Sequence, residues 1–371
     1  MSLSKSKPKP NQKPEPDSKT SLSSGTNIRT DNSVEDPTQG YKMSDELSFA
    51  HDAVLLQETV AAVLGVKSLP KQKDDMKAKN SLQISGIYVD ATFGRGGHSR
   101  LLLGQLAADA QLIVFDKDPT AIAVAQELAS TDSRVHVVHD SFATLTDSLA
   151  AMGITQVDGL MADLGISSPQ IDDGSRGFSF MRDGAVDMRM DTSRGQSVAE
   201  WLEQVDDETL ANVLYEFGEE RHSRRIARAI KQMDSYQSTL ELAEVIKVAH
   251  PNWQRGKHPA TQSFQAMRIF INNELGDVDD FLEQSIPILK VGGQLAVISF
   301  HSLEDRRIKQ FLQRHSKGQY PEDESLPMPP KRPRYFSKPK RIGPSKAEVS
   351  RNPRSRSAWL RVATRTDTNY Q

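Results

Sequence analysis

A glycine-rich run, Gly94-Arg-Gly96-Gly97-His98, closely follows a short apolar segment that ends at Asp90. Glycine lets a backbone turn tightly and approach a ligand closely. A helix that followed would direct its free N–H groups toward the same ligand. A dinucleotide fingerprint needs a third glycine at position 99, where this chain has Ser99, so the run matches a nicotinamide site poorly. It indicates a loop against another cofactor, or a purely structural turn.

Two further apolar segments end in residues that could hold a nucleoside. Asp116 closes the second segment about twenty residues after the glycine run, where a carboxylate can accept hydrogen bonds from both ribose hydroxyls. Helix capping is the alternative role for an acid here, although it suits Asp118 better. Phe142 follows the third segment and could lie on an adenine face, but a place in the core explains it nearly as well.

A fourth apolar segment ends at Asp163 and continues into the loop Leu164-Gly-Ile-Ser-Ser-Pro-Gln170, which is rich in turn formers and hydroxyl groups. The carboxyl ends of parallel strands meet at one edge of a sheet, and ligands bind in the crevice there. The four segment ends are therefore expected to converge. Doubly wound methyltransferases hold the amino acid part of S-adenosylmethionine against a comparable glycine loop, so the convergence predicts that cofactor.

A parallel sheet must position these residues, and the β-branched runs that would build it alternate with helical runs. One helix has favourable start chemistry, because Asp118 can cap it and Pro119 suits its first turn. The pattern predicts an α/β fold with a doubly wound, Rossmann-like parallel sheet, an architecture that class I methyltransferases also have. The predicted strands are 86–90, 111–115, 134–138, 157–162, 294–300 and 358–363, and the helices among the first three are 99–106 and 119–128.

Between the fourth strand and the fifth, the alternation stops and about one hundred residues show only helical patterns. Ser197 and Glu200 have the spacing of a capping box at one helix start. Insertions of this kind usually carry substrate recognition, because the strand ends already hold the cofactor. Further helices are predicted at 208–217, 221–233, 240–248 and 262–274, and a helix at 278–289 leads back to the sheet through Gly292-Gly293.

The chain therefore divides into four predicted parts. Residues 1–48 are polar and rich in Lys, Pro and Ser, so they are expected to form a disordered tail, with a basic arm that contacts RNA as the alternative. Residues 49–172 form the first part of a methyltransferase domain, 173–275 a helical insertion for substrate recognition, and 276–371 the second part with a basic C-terminal segment. A second polar stretch, 67–81, is expected to be flexible.

The composition of the 371 residues limits the chemistry. Without cysteine the chain can have no disulfide, zinc–thiolate site or cysteine nucleophile, which excludes the covalent route of cytosine carbon-5 methylation. No spacing of His, Asp and Glu suggests a metal site. No apolar run approaches the roughly 18 residues of a membrane span, and the N-terminus has no secretion signal, so a cytoplasmic location is expected.

Basic residues are clustered although the formal net charge is only -2. Such clusters neutralise RNA phosphates, and a solvated face is the alternative, with Glu219 and Glu220 available to pair with the cluster in the insertion. RNA contact is favoured for the C-terminal cluster, where Tyr335 and Phe336 are interleaved. The clusters are Arg221, Arg224, Arg225 and Arg228 in the insertion; Arg176, Arg182, Arg189 and Arg194 before it; and Lys331, Arg332, Arg334, Lys338, Lys340, Arg341, Lys346, Arg351, Arg354 and Arg356 near the C-terminus.

Seven longer runs resemble the bacterial ribosomal RNA small subunit methyltransferase H family, and the resemblance covers nearly all of residues 51–365. The runs are TFGRGGHS at 92–99, DLGISSPQ at 163–170, RGFSFMRDGAVDMRMD at 176–191, GEERHSRRIARAI at 218–230, KHPATQSFQAMRI at 257–269, ISFHSLEDR at 298–306 and NPRSRSAWLR at 352–361. The chain departs from the family in its long N-terminal tail and in residues 71–80, and neither departure touches a motif.

The resemblance implies methyl transfer from S-adenosylmethionine to the exocyclic N4 amine of a cytidine in the decoding region of 16S ribosomal RNA. The RNA is expected to lie within the small ribosomal subunit, and a homodimer is compatible with the sequence. The resemblance also implies that the cofactor is contacted by Gly96, Gly97, His98, Asp116, Phe142, Asp163 and Gln170.

The exocyclic amine of cytosine is a poor nucleophile, because its lone pair is delocalised into the ring. An enzyme must hold it in line with the methyl group and accept a hydrogen bond from it. The candidates are Asp163, Ser167, Ser168 and a backbone carbonyl of the loop, with Asp163 as the first choice for the catalytic residue. His258 and a second histidine, His301, stand at a helix start or strand end, where capping and catalysis are equally good explanations.

Two other functions compete with RNA methylation. One is a nicotinamide-dependent oxidoreductase on the same fold, which Ser99 disfavours. The other is a ribosome-assembly factor that binds RNA and keeps an idle cofactor pocket. The intact set of strand-end residues disfavours that reading.

Overall fold

The computed structural model describes residues 53–70, 81–251, 258–323, 325–328 and 330–370. The predicted tail at 1–48 and most of the polar stretch at 67–81 lie outside these described residues. Among the helices that are described, none combines the length and the apolar character needed to cross a membrane.

A seven-stranded sheet carries the strand ends of the candidate site. Its strands are β1 (Ile87–Asp90), β2 (Gln111–Asp116), β3 (Val135–His139), β4 (Val157–Asp163), β5 (Leu289–Ser299), β6 (Lys340–Ile342) and β7 (Trp359–Thr364). They lie in the order β3-β2-β1-β4-β5-β7-β6, with β1 to β5 parallel and β7 antiparallel to both of its neighbours. Because the chain leaves β1 toward β2 and returns at β4 on the other side, a crevice opens at the carboxyl ends of β1 and β4. The predicted doubly wound α/β sheet is confirmed.

Both faces of the sheet are covered, which explains why its strands read as near-continuous apolar runs. Val89 and Ile113 pack into the core beneath the helices Glu274–Ile288 and Ser302–Lys317. Tyr88 and Leu112 pack into the core beneath the helix Leu56–Val63. Successive side chains of a strand point to opposite faces, so each strand supplies both cores. The flanking helices are α1 (Leu56–Val63), α2 (Gly97–Leu103), α3 (Pro119–Thr131), α4 (Leu145–Ala151), α5 (Ser168–Asp172), α11 (Glu274–Ile288), α12 (Ser302–Lys317) and α13 (Lys346–Arg351).

Between β4 and β5 the chain forms helices around a separate core that includes Trp201, Leu214 and Phe264. The predicted capping box is present, because the Glu200 N–H donates to Ser197 Oγ at 3.2 Å and the Ser197 N–H donates to Glu200 Oε2 at 2.8 Å. These helices are α6 (Val198–Gln204), α7 (Asp207–Gly218), α8 (Ser223–Ile230), α9 (Thr239–Ala249) and α10 (Ala260–Ile271).

Several elements differ from the sequence prediction. The helix predicted at 262–274 ends at Ile271, because Asn273 adopts a left-handed conformation (φ 51°) and α11 begins at Glu274. The glycine turn predicted before the fifth strand lies inside β5, where Gly292 (φ 86°) accompanies a shift of the pairing register with β4. Helix α8 is shorter at both ends than the predicted 221–233. The sequence does not predict β6, because three largely polar residues at a sheet edge carry no apolar pattern.

Candidate active site

Three carboxyl groups lie at the ends of neighbouring parallel strands. Asp90 ends β1, Asp116 ends β2 and Asp163 ends β4, and β1 lies between the other two strands. Asp90 accepts a hydrogen bond from Ser99 Oγ at 2.7 Å and another from the Thr92 N–H at 3.1 Å. Ser99, which stands where a dinucleotide fingerprint has its third glycine, therefore joins α2 to the end of β1.

Burial raises the pKa of all three carboxyl groups. Desolvation raises the pKa of Asp90 to about 6, and the nearby Asp116 charge adds to the effect. Desolvation also raises the pKa of Asp116, although backbone N–H groups donate to it. The pKa of Asp163 lies well above its usual value because of burial and because of the Asp90 and Glu304 charges. A crevice with this many poorly compensated acids favours a bound cation.

Asp163 has a carboxyl oxygen that no described residue satisfies. Its Oδ1 has no hydrogen-bond partner among the described residues, and 26% of its side-chain surface is exposed. Its Oδ2 lies 3.8 Å from Nδ1 of His98. Burial lowers the pKa of His98 to about 4, so the ring is neutral at pH 7 and forms no ion pair with Asp163. The other ring nitrogen, Nε2, lies 3.1 Å from the carbonyl oxygen of Val54.

The glycine run adopts a tight conformation that depends on its residue types. Gly94 (φ 56°) and Gly96 (φ 75°) are both left-handed, and a Cβ at Gly96 would lie 2.6 Å from Cζ of Phe93. The Gly94 N–H donates to Asp116 Oδ2 at 2.7 Å, which joins the loop to the end of β2. Gly97 begins α2. The loop thus lies between the ends of β1 and β2, where a cofactor loop was predicted.

Phe142 lies just beyond the end of β3, at the start of a short 3-10 helix. Its partly buried ring meets Phe281 of α11 edge-on, with 5.4 Å between the ring centroids and 68° between the planes. Next to it, Ser141 Oγ donates to Asp277 Oδ2 at 2.5 Å. The core contact of Phe142 is therefore observed, and its stacking on an adenine stays a prediction.

Gln170 is held at both ends of its side chain by the protein itself. Its Oε1 accepts from the Ser167 N–H at 2.8 Å, and its Nε2 donates to Asp118 Oδ2 at 2.8 Å. Arg176 donates to the same Asp118 oxygen at 2.9 Å. Gln170 thus fixes the loop after β4 against the start of α3, and its expected contact with the cofactor stays a prediction.

A cavity of about 200 Å³ opens beside these strand ends. Its lining includes Lys117 and Ser141, which follow β2 and β3, and Arg189, Arg194 and Asn272 from the insertion side. Because Asp116 and Phe142 adjoin Lys117 and Ser141 in the chain, the cavity lies where the nucleoside part of a ligand would be expected. A second cavity of about 290 Å³ is lined by residues of α11 and α12 and does not involve the strand ends.

The arginines of the insertion and of the loop before it differ in their availability to RNA. In the loop, Arg176 pairs with buried Asp118 at 2.9 Å and Arg189 pairs with Asp187 at 2.7 Å, so both are already used within the protein. Glu219 pairs with Arg306 of α12 at 2.9 Å rather than with the insertion cluster. That cluster is exposed on and just before α8 and comprises Arg221, Arg224, Arg225 and Arg228.

The C-terminal basic residues are exposed, but the aromatic residues among them are not. Tyr335 and Phe336 are buried and pack into the core beneath α11 and α12. They are therefore unavailable to stack on RNA bases, and the interleaving seen in the sequence reflects core packing. Arg354 joins this segment to the crevice, because its Nη1 donates to Ser168 Oγ at 3.0 Å.

A buried group of charges lies at the end of β5, and its members are far apart in the sequence. Arg268 donates to both carboxyl oxygens of Glu274, at 2.7 and 2.8 Å, and Nε2 of His301 lies 3.1 Å from Oε1 of Glu304. One nitrogen or carboxyl oxygen from each of Glu274, His301 and Glu304 lies within 4.8 Å of those of the other two, a spacing that could suit a metal ion. Arg268 already supplies a positive charge to Glu274, so this group carries no argument for a metal. The three-residue spacing of His301 and Glu304 is the only sequence signal that could have linked them.

The sequence matches a known protein family over most of its length. Residues 48–366 match the sequence model of a family described as the MraW methylase family. A Psychrobacter arcticus protein named ribosomal RNA small subunit methyltransferase H is 92% identical over 327 residues, which cover 88% of this chain and 98% of that protein. An Acinetobacter baylyi protein of the same name is 54% identical over 318 residues, which cover 85% of this chain and 99% of that protein. These names agree with the resemblance carried by the seven sequence runs. Because the match spans most of the chain and nearly the whole of each relative, the chain belongs to the MraW methylase family and is a methyltransferase.

Proposed function

We propose that the chain uses S-adenosylmethionine to methylate the N4 amine of a cytidine in the decoding region of 16S ribosomal RNA. The observation that carries the proposal is the convergence of Asp90, Asp116 and Asp163 beside a left-handed glycine loop. Poorly compensated carboxyl groups attract a cation, and a sulfonium nucleoside is a cation. The names of the Psychrobacter and Acinetobacter relatives support ribosomal RNA of the small subunit as the substrate.

The described residues fit this cofactor in two respects. Asp163 Oδ1 lacks a partner among the described residues, so a polar or cationic ligand would satisfy it. The Cβ position of Gly94 has no heavy atom within 4 Å, so the loop leaves room for a ligand. When bound, the cofactor supplies a methyl group activated by positively charged sulfur. The residues proposed to hold it are Gly96, Gly97, His98, Asp116, Phe142, Asp163 and Gln170.

Asp163 is the proposed catalytic residue because its carboxyl group can orient the target amine. A cation beside Asp163 favours the ionised carboxylate, although burial raises its pKa in the free protein. The carboxylate would then accept a hydrogen bond from the amine and align the nitrogen for direct displacement. The hydroxyl of Ser168 already accepts from Arg354 at 3.0 Å, which makes it a weaker candidate for that task.

The RNA must present the amine outside its base pairing. An amine inside paired RNA is hidden, so the target base has to leave its stack before it can enter the crevice. The exposed arginines of α8 and the exposed C-terminal basic residues would hold the phosphates on either side. We place this reaction on the small ribosomal subunit in the cytoplasm.

The decisive experiment uses small ribosomal subunits from a strain that lacks the gene. Incubation with the protein and S-adenosylmethionine, followed by nucleoside mass spectrometry of the 16S ribosomal RNA, is expected to yield N4-methylcytidine. Asp163→Asn is expected to lower the single-turnover rate by about 100-fold. Unmethylated RNA after incubation with the wild-type protein would contradict the proposed function.

Two further measurements separate the competing functions. Titration with a nicotinamide dinucleotide is expected to give no binding, because Ser99 is buried against Asp90 where the fingerprint requires glycine. A ribosome-assembly factor would bind the subunit and leave the cytidine unmodified. Binding without methyl transfer would therefore favour that role.

A further inference from the structure

His301 lies at the same edge of the sheet as the candidate site. Strands β4 and β5 are parallel neighbours, with Asp163 opposite Ile298, so His301 follows the end of β5 close to the end of β4. The Glu304 charge contributes to the raised pKa of Asp163, which means that the two carboxyl groups interact. His301 and Glu304 therefore adjoin the crevice in which the target amine is proposed to react.

The ring of His301 has two polar contacts, neither of them a well-aligned hydrogen bond: its side chain belongs to the capping box of α12, and its Nε2 lies 3.1 Å from Oε1 of Glu304. Its side chain is only 13% exposed, and a buried polar group without a well-aligned hydrogen bond is destabilising. Such groups in folded proteins require an explanation, of which a catalytic role is one. His258 differs, because its Nδ1 accepts from the Ala260 N–H at 3.2 Å at the start of α10. Capping therefore accounts for His258. His301 also belongs to a capping box, with Glu304 at the start of α12, but its Nε2 in addition faces the carboxylate of Glu304, a contact that capping does not require.

Glu304 supplies an ionised partner for this ring. Burial would raise the pKa of Glu304, but contacts with His301, the Phe300 N–H and the Arg268 charge lower it overall. Its Oε2 accepts from the Phe300 N–H at 2.8 Å, and its Oε1 lies 3.1 Å from His301 Nε2. This side-by-side arrangement of a histidine and a buried carboxylate is how many enzymes orient a general base.

The charges around the His301 ring favour its protonated form. Arg268 donates through Nε and Nη2 to the two carboxyl oxygens of Glu274, and its charge also acts on Glu304. One positive charge therefore faces the two carboxylates of Glu274 and Glu304. One negative charge is left beside His301. A fixed negative charge of this kind stabilises positive charge that develops during a reaction.

We propose that His301 is the catalytic residue that takes the proton lost by the target amine and that Glu304 positions its ring; this inference rests on the methylation proposed above. As the amine nitrogen bonds to the methyl carbon, the methyl–sulfur bond breaks and its electron pair stays on sulfur. The nitrogen, now positively charged, loses a proton to Nδ1 of His301 while Nε2 faces Glu304. The proton then passes to solvent. Charge is balanced, because the cofactor brings one positive charge on its sulfur and the released proton carries one positive charge away. Asp163 orients the amine before this step.

His301→Asn separates catalysis from helix capping. His301 is the residue that precedes α12, and asparagine is among the best residues at that position but cannot accept the proton. At saturating cofactor and RNA, the single-turnover rate is expected to fall about 100-fold, while the unfolding temperature and the affinity for S-adenosylmethionine stay close to those of the wild type. A wild-type rate in His301→Asn would show that the ring only caps the helix and would overturn the proposal.

Imidazole rescue tests the proton transfer directly. In His301→Ala, free imidazole at tens of millimolar is expected to raise the methylation rate at least tenfold, because it can occupy the space of the missing ring and take the proton. Failure of imidazole to raise the rate of a folded, cofactor-binding His301→Ala protein would also count against the proposal.

Two matched variants complete the test. His258→Asn makes the same substitution at the capping histidine and is expected to keep the wild-type rate. Glu304→Gln keeps an acceptor for the Phe300 N–H and removes the charge, so it is expected to lower the rate about tenfold with little change in KM. A wild-type protein that methylates no cytidine would refute the proposed function, whereas an active wild type with an equally active His301→Asn would refute only the role of His301.

Discussion

Asp118 and Arg176 form a buried ion pair, 2.9 Å between Oδ2 and Nη1, that connects the cofactor side of the crevice with the insertion. The other oxygen of Asp118 accepts from the Thr120 N–H at 2.9 Å and so caps α3. Arg176 also donates to the carbonyl oxygens of Arg189 and Met190, at 3.0 and 2.9 Å. One carboxylate therefore fixes the end of β2 and the segment that leads into the helical insertion.

Asp118→Asn is expected to destabilise the protein by about 3 kcal/mol, because it leaves the Arg176 guanidinium buried beside a neutral partner. Urea denaturation at pH 7 measures the change in the free energy of unfolding. Asp132→Asn is the control, since Asp132 pairs with Arg134 at 2.6 Å in a more open place and should lose no more than about 1 kcal/mol. An equal loss of unfolding free energy in the two variants would show that the buried pair stabilises the protein no more than the more exposed pair does.

The sequence predicts contacts that arise within a few residues better than contacts between distant ones. The strand ends at Asp90 and Asp163 and the capping box of Ser197 follow from local patterns, and the structure contains them. The pair of Asp118 with Arg176 joins residues 58 positions apart, and no spacing rule links them. From the sequence, Arg176 is predicted to belong to a cluster of basic residues that could bind RNA. In the structure it is paired with Asp118 instead.

Burial is the second property that the sequence leaves open. Tyr335 and Phe336 lie among basic residues in the sequence, yet both rings are in the core. His258 and His301 have equivalent sequence contexts. Only the structure shows that His258 accepts a backbone N–H, whereas His301 combines a place in a capping box with a contact to the buried carboxylate of Glu304. These differences depend on which surfaces the sheet and the helices cover, and residue type alone does not determine that.

Gly96→Ala is expected to damage the glycine loop more than Gly94→Ala. Both residues have positive φ, so each substitution costs about 1 kcal/mol of backbone strain. A Cβ at Gly96 would also lie 2.6 Å from Phe93, whereas a Cβ at Gly94 meets nothing within 4 Å. Thermal unfolding should therefore show a clearly larger fall in Tm for Gly96→Ala. A larger fall for Gly94→Ala would contradict the loop geometry.

The affinity for S-adenosylmethionine is expected to rise with pH between about 5 and 7. Desolvation raises the pKa of Asp90 in the free protein to about 6, and the pKa of Asp163 is also raised. A cation binds the ionised carboxylates, so binding releases protons and weakens as the pH falls through these pKa values. Calorimetric titration should give an affinity about tenfold lower at pH 5 than at pH 7, because about one more proton must be released on binding at the lower pH.

S-adenosylhomocysteine provides the control for this pH dependence. Its sulfur is neutral, so its affinity should change less over the same range than that of the sulfonium compound. The ratio of the two affinities therefore isolates the charge on sulfur from the other contacts. A ratio that stays constant between pH 5 and pH 7 would mean that the acids do not respond to the sulfonium charge.

Residues 345–357 are expected to contribute to RNA binding, because they adjoin the crevice and carry exposed basic side chains. Arg354 donates to Ser168 Oγ at 3.0 Å, and Glu348 accepts from the Leu55 N–H at 2.7 Å, so the segment is held against the site from two directions. Replacement of the exposed Lys346 and Arg356 by alanine should weaken binding to small ribosomal subunits.

The salt dependence of that binding distinguishes phosphate contact from a general effect of charge. Each lost phosphate contact reduces the slope of log Kd against log salt concentration by about 0.7–0.9, so the double variant should lose about 1.5 from the slope between 50 and 200 mM salt. Lys67→Ala combined with Lys290→Ala removes the same charge elsewhere. Lys290 pairs with Asp158 at 2.8 Å where β5 begins, and Gly65, two residues before Lys67, lies against the side chain of Gln294 in β5. The control should leave the slope unchanged, since Lys290 lies at the amino end of β5, opposite the carboxyl edge at which RNA must approach. Equal slopes for the two double variants would mean that residues 345–357 do not contact phosphate.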